Sequence, residues 1–368
     1  WTQAVTLERS RIDGPVTARV HAGGVTRPLA NGDDIAVESL HPAGDVDLTG
    51  APLVFAGYGI TAPELDWDDY AGLDVRGKVV VVLINDPDFE AEAPGRFGGR
   101  ALTLYGRWTY KYEEAAKRGA AGVLIVHETE PASYPWATVR NGRAGPQYDI
   151  VRADAATHHL PMRGWMQHAV ARQLFADAGL DLNEQIKAAN TRGFKPVPLE
   201  ATVSFDLKST IAEKSSRNVV GILPGTETPD EAVLYLAHWD HLGTHEGDGE
   251  DLIYNGAIDN ATGVAGIIEI AEKFATTEPK PKRSLVFLAV TLEESGLLGS
   301  KYYVAQPSID LARTVGVINL DAMSVAGPSR DFVVTGLGNS EMEDILKTFA
   351  DAQNRTLVEE SNPAGGFY

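Results

Sequence analysis

The feature of this sequence that most constrains its fold is an alternation. From Leu199 onward, apolar runs of strand character at Leu199–Phe205, Asn218–Ile222, Val233–Ala237, Ser284–Thr291 and Val315–Asn319 are interleaved with helical stretches at about Thr262–Phe274 and Leu297–Ala305. Such alternation predicts a mixed, largely parallel central sheet with helices on both faces, an α/β/α sandwich. A smaller α/β module precedes it. Strand-like runs at Pro52–Ile60, Lys78–Ile84 and Ala121–Val126 accompany a helical stretch at Trp108–Arg118. After Gly164 the spacing of Trp165, Val170, Leu174 and Leu180 predicts more helix, continued by Leu182–Ala189 up to a boundary near Pro196–Pro198. The opening run Thr2–Ile12 alternates as an edge strand does and is assigned to the second sheet.

Charge and composition then remove whole classes of function. The chain has 368 residues, enough for two or three domains. A net charge of −19 repels phosphate backbones, so nucleic acid is not an expected partner. The absence of cysteine excludes a thiol nucleophile, a zinc finger and a disulfide framework. No apolar run approaches the roughly 18 residues of a membrane crossing. The chain begins at Trp1 without a charged and then apolar leader, and stops in the turn-like Asn362–Tyr368. Both ends are therefore expected to be cuts in a longer protein.

Ligands bind outside the carboxyl ends of the strands in an open α/β sheet, so polar residues that directly follow apolar runs carry weight. The run Val233–Ala237 leads into His238-Trp239-Asp240-His241, Leu285–Leu292 into Glu293-Glu294, and Val315–Leu320 into Asp321. Between them, Tyr254-Asn255-Gly256-Ala257-Ile258-Asp259-Asn260 places Asp259 at a helix entrance. Each residue has a plain structural reading. Asp259 suits an N-cap, His238 an interior histidine, Glu293-Glu294 a solvated strand end and Asp321 a turn. Converging on one rim, however, these carboxylates would repel one another by several kcal/mol unless cations neutralised them. Histidine nitrogen and carboxylate oxygen suit Zn²⁺ at about 2.0–2.2 Å, and a shared carboxylate can hold two metals about 3.5–4 Å apart. The set points to a dinuclear metal hydrolase. His241 and His245 are further candidates for a ligand or catalytic role.

The segments Ala237–Gly243, Gly256–Gly263, Thr291–Ser300 and Ile318–Met323 resemble, in order, the motifs of the co-catalytic zinc exopeptidases that include aminopeptidase Y and glutamate carboxypeptidase. The resemblance implies two Zn²⁺ per complete site. Asp259 would bridge them, with His238 and Asp321 on one, Glu294 on the other and Glu293 as general base. Asp240 would stand behind the His238 imidazole. It also implies a cis peptide between Asp259 and Asn260. Leu53–Ile60, Gly77–Asn85 and Tyr112–Val126 are similar to a protease-associated (PA) domain, an insert found in many members of this family.

The expected division is thus residues 1–49 as an N-terminal part of the peptidase domain, 50–198 as the PA domain with its following helices, and 199–368 as a C-terminally incomplete catalytic domain. The implied activity is metal-dependent hydrolysis of a peptide substrate, foremost as an aminopeptidase. A carboxypeptidase on the same metals and a non-catalytic receptor that keeps the fold are the alternatives. PA inserts occur in exported or lumenal members, so a secreted or periplasmic location is implied. The motifs leave oligomeric state open.

One departure stands out. The family adds a late histidine to the metal held by Glu294, and this sequence has no histidine after His245. The expectation is one tightly held zinc and one weakly held one. Other motifs do not compete. Gly72–Lys78 approximates a phosphate loop, but Val79 replaces Ser or Thr and a strand follows. Asn260-Ala261-Thr262 is a formal glycosylation triplet inside the expected metal loop, and Asn354-Arg355-Thr356 is another. The acidic stretch Glu246–Asp251 lacks the order of a calcium loop, and no Gly-x-Ser-x-Gly elbow is present.

Overall fold

The computed structural model describes residues 1–89, 95–100, 102–244, 249, 251–335 and 340–360. Two compact units emerge. One contains Trp1–Glu8, Tyr148–Val151 and Glu213–Pro328; the other contains Arg9–Gln147, Arg152–Ala212 and the described residues from Ser329 onward.

The second unit is built on an eight-stranded sheet in the order Val25–Leu29, Thr17–Ala22, Val197–Leu207, Val46–Phe55, Val79–Leu83, Gly122–His127, Met162–Gln167 and Ile35–Glu38. Neighbours from Val46–Phe55 to Met162–Gln167 run parallel, and the outer pairings are antiparallel. The unbroken run Val79-Val80-Val81-Val82-Leu83 suits a strand with core on both faces. Val79, Val81 and Leu83 pack in one apolar layer, and Val80 and Val82 in the other. Helix His168–Asp177 covers the first layer, with Phe175 edge-on to Phe55 at 5.2 Å. Helix Trp108–Lys117 covers the second through Tyr112 and Ala115.

Two expectations change here. Trp165, read above as part of a helical spacing, lies on the strand Met162–Gln167 and is 1% exposed. Burial on both faces removes the alternation that would have marked the strand. Gly164 on that strand runs so close to its neighbour that a Cβ there would lie 2.6 Å from the Ala36 carbonyl. Leu199–Phe205, read as the start of the later sheet, lies inside the strand Val197–Leu207 of this one. Thr17–Ala22, Val25–Leu29 and Ile35–Glu38 join it too, so the compact units do not follow a division at residues 49 and 199. The described residues from Ser329 on include parallel strands Asp331–Val334 and Thr356–Glu359, with helix Met342–Ala352 between them in the chain.

The first unit carries most of a six-stranded mixed sheet ordered Gln147–Ile150, Thr2–Ile12, Ser209–Leu223, Arg283–Val290, Thr228–His238 and Thr314–Asn319. Thr2–Ile12 lies in this second sheet as expected. Arg283–Val290, Thr228–His238 and Thr314–Asn319 are mutually parallel neighbours. His238 pairs in register with Val290, and Leu236 with Asn319, so all three strands end at one level. Helix Thr262–Thr276 follows the π-type turn Ala257–Ala261. Among the described residues no helix is long and apolar enough to cross a membrane.

Candidate metal centre

The three parallel strand ends deliver the polar residues to one place. His238 closes its strand with a side chain 2% exposed, and its Nε2 lies 3.0 Å from Asp259 Oδ1, 3.4 Å from Asp321 Oδ1 and 4.0 Å from Glu293 Oε2. Its Nδ1 lies 3.0 Å from the Asp240 main-chain carbonyl, whereas the Asp240 carboxylate is 3.7 Å away. That carboxylate instead accepts from the Glu293 amide at 3.0 Å and the Glu294 amide at 3.3 Å. The loop after one strand thereby holds the loop after its neighbour. The imidazole is oriented by the Asp240 backbone, and the two glutamates by the Asp240 side chain.

Asn260 performs a similar tie on the other side. Its Nδ2 donates to the Leu320 carbonyl at 2.9 Å, and its Oδ1 accepts from the Gly263 amide at 2.9 Å. Helix entrance and strand end are thus joined, with Asp259 and Asp321 each one residue from the link. Thr262 Oγ1 adds a second tie by accepting from the Met323 amide. The Asp259–Asn260 peptide is cis, as the motif resemblance implies. The sequence marks neither the tie through Asn260 nor the amide partners of Asp240, because both depend on which loops the fold brings together.

The electrostatics match the crowding. Burial pushes the Glu293 carboxyl up to about 7; His238 opposes this, while Glu294, Asp321 and Asp240 reinforce it. Glu294 is also raised, first by burial and then by Asp259, against the pull of His241 and His238. Burial alone would lower the His238 imidazole, but Glu293, Asp321 and Asp240 outweigh it and hold it above its usual value.

Two donor sets share one carboxylate. His238, Asp259 and Asp321 form one and His241, Asp259 and Glu294 the other, with the donor atoms of each set within 4.8 Å of one another. His241 Nδ1 lies 2.7 Å from Glu294 Oε1. Asp259 Oδ1 is buried without an aligned hydrogen bond although His238 Nε2 faces it at 3.0 Å. Facing lone pairs without a proton geometry between them suit a cation, and mixed nitrogen and carboxylate donors suit zinc. His245 and Glu246 lie outside the described residues.

Residues 218–368 match the family described as Peptidase family M28, and residues 48–167 match the PA domain. Among curated relatives, the aminopeptidase NAALADL1 of Mus musculus is 31% identical over 137 residues, which is 35% of this chain and 17% of that protein. The glutamate carboxypeptidase 2 homolog of Caenorhabditis elegans is 32% identical over 126 residues, 33% of this chain and 15% of that protein. The chain thus spans less than a fifth of the length of these relatives. Of solved structures, an aminopeptidase from Aneurinibacillus sp. strain AM-1 superposes with a TM-score of 0.49 at 19% identity, covering 98% of this chain and 71% of that one. The donor cluster thus lies in the segment, residues 218–368, that matches Peptidase family M28, and a segment that matches the PA domain precedes it.

Proposed function

We propose that this chain carries the metal centre of a dinuclear zinc aminopeptidase. His238, Asp259 and Asp321 would hold one zinc, and Asp259 with Glu294 the other. When bound, the pair would supply Lewis acidity toward a water and the scissile carbonyl. Glu293 is the general base in this reading. Its Oε2 lies 4.0 Å from His238 Nε2 in the first donor set, and a carboxylate there can take a proton from a water and return it to the leaving amine. Asp240 positions it through the Glu293 amide.

The observation that carries the proposal is the convergence of three carboxylates on His238 Nε2, within 4.0 Å, at the ends of parallel strands. One further observation favours an amino-terminal over a carboxy-terminal specificity. Among the described residues, none of His238, Asp240, Asp259, Glu293, Glu294 and Asp321 is paired with a lysine or arginine. An acidic rim of this kind suits a substrate ammonium better than a carboxylate. The deciding comparison is turnover of an aminoacyl anilide against an N-blocked dipeptide by the zinc-loaded protein. Cleavage of the blocked dipeptide alone establishes the carboxypeptidase alternative, and cleavage of neither by a zinc-loaded protein supports the receptor reading. Glu293→Gln is expected to lower kcat about 10²–10⁴-fold with zinc content unchanged. An unaffected kcat removes Glu293 from the role of base.

A further inference from the structure

We propose that a cavity at the carboxyl ends of the strands Gly122–His127 and Met162–Gln167 binds a guanidinium group, on free arginine or on the arginine side chain of a peptide. It lies in the unit with the eight-stranded sheet and does not depend on the zinc reading. The two strands are parallel neighbours, and His127 pairs in register with Gln167, so both end at one level. Beyond those ends is a cavity of about 380 Å³, lined in part by His127, Glu128, Glu130, Trp136, Gln167 and His168. Ligands of α/β sheets bind in this position, and the volume is at the small end of the roughly 300–1,000 Å³ of ligand pockets.

The lining is rich in acceptors. His127 is 4% exposed, and the rings of Tyr134, Trp136 and Trp165 surround it at centroid distances of 6.3, 5.5 and 5.9 Å. Its Nε2 lies 3.0 Å from the Tyr134 carbonyl, which can only accept, so Nε2 carries the proton. Burial holds the imidazole below its usual pKa against the pull of that bond. The ring is therefore neutral, and Nδ1, which has no hydrogen bond among the described residues, is left as an acceptor. Glu128 and Glu130 add carboxylates, and Gln167 adds an amide oxygen. Glu130 pairs with Arg100, so Glu128 supplies most of the charge. Trp136 supplies a flat surface. Its Nε1 donates to the Gly32 carbonyl at 2.9 Å, which fixes the edge of the indole.

A guanidinium meets these demands together. It is flat and positively charged, carries five N–H donors, and stacks on aromatic rings as readily as it binds carboxylates. Arg143 already lies over the Trp108 ring at 4.7 Å in this same unit. An ammonium is a point charge that would satisfy Glu128 without spanning the separate acceptors, and the carboxylates would repel an anion. His168, which opens the helix His168–Asp177, is the feature that would favour an anion, so phosphate serves as the counter-probe.

The test follows amide and indole ¹H–¹⁵N signals of the full chain while four probes are added separately. These are the blocked peptide acetyl-Gly-Arg-Gly-amide, the same peptide with citrulline for arginine, free L-arginine and inorganic phosphate. Citrulline keeps the shape and loses the charge. Arginine, in the peptide or free, is expected to shift the Trp136 indole signal together with the Glu128 and Gln167 amides, and to bind about 10-fold or more tightly than the citrulline peptide. Tighter binding of the peptide assigns the site to a peptide side chain, and binding of free arginine at least as tight assigns it to a small molecule. Glu128→Gln should weaken binding about 10-fold, whereas Glu184→Gln, at an exposed carboxylate elsewhere on the unit, should leave it unchanged. Equal response to arginine and citrulline, shifts scattered beyond the cavity, a stronger response to phosphate, or no greater weakening by Glu128→Gln than by Glu184→Gln overturns the proposal. The wild-type comparison of arginine with citrulline decides the matter even where a variant folds poorly.

Discussion

The two compact units bury charge in opposite ways. In the unit with the eight-stranded sheet, Lys111 is fully buried and donates to the Asn85 carbonyl at 2.7 Å, attracted by Asp86 and Asp69. Asp69 accepts from the Tyr58 and Ile60 amides and from Trp67 Nε1, and Asp86 from the Thr103 amide and hydroxyl. Burial raises both carboxyls and lowers the lysine, but one cation sits among two anions and most lone pairs are satisfied. At the metal centre the balance is reversed. Glu293, Glu294, Asp259 and Asp321 crowd His238 and His241 without a lysine or arginine paired to them among the described residues. The first cluster carries its own counterion, and the second is arranged to receive one. In the function proposed above, the contrast separates a structural use of charge from a metal-binding use.

The sharpest way to break the contrast is to take away the internal cation. Lys111→Met leaves Asp69 and Asp86 buried without a positive partner and is expected to cost about 3–5 kcal/mol in urea unfolding. Zinc binding by the other unit should be unaffected. A cost below about 1 kcal/mol would mean that the lysine is not what balances these carboxylates.

How much of this contrast is legible in the sequence differs between its two sides. His238, Glu293, Glu294 and Asp321 stand out because each follows an apolar strand run, and parallel strands end together. The partners of the Asp240 carboxylate do not, since the Glu293 and Glu294 amides carry no residue signature. His241 is a minor candidate in the sequence, because only the folded turn at Gly256 sets it beside Glu294. Leu199–Phe205 has the same alternation in either sheet, so its pattern could not say which one it joins. The Lys111 cluster joins residues 69, 86 and 111 from separate parts of the chain, and no local spacing announces it.

Supplying cations tests the other side. At free zinc about 100 times Kd, one site adds about 2.7 kcal/mol to the stability of the unit that holds it. Hydrogen exchange should show this gain in the strands Thr228–His238 and Arg283–Val290, with Val79–Leu83 unchanged. Equal protection in all three strands would show that the metal acts on the whole chain and not on its own unit.

The smallest effect gives the most specific test, because its sign depends on whether metal is present. Without metal, Glu293 keeps its proton up to about 7 in the folded chain but releases it near 4.5 when unfolded. The folded state then binds more protons between these values, so stability falls as pH rises through that window and stays reduced above it. Glu293→Gln removes this penalty. Because the side chain is 30% exposed and also supports the His238 imidazolium, the metal-free gain at about pH 7.5 is expected to be only about 1 kcal/mol, vanishing below pH 4.5. Zinc favours the ionised glutamate, so loading should erase the advantage of the variant. Chemical denaturation of both proteins at about pH 4 and about pH 7.5, with and without zinc, reads all four cases. A metal-free variant no more stable than wild type at the higher pH would mean that the carboxylates at this rim are already relieved by solvent, and the contrast with the Lys111 cluster would lose its physical basis.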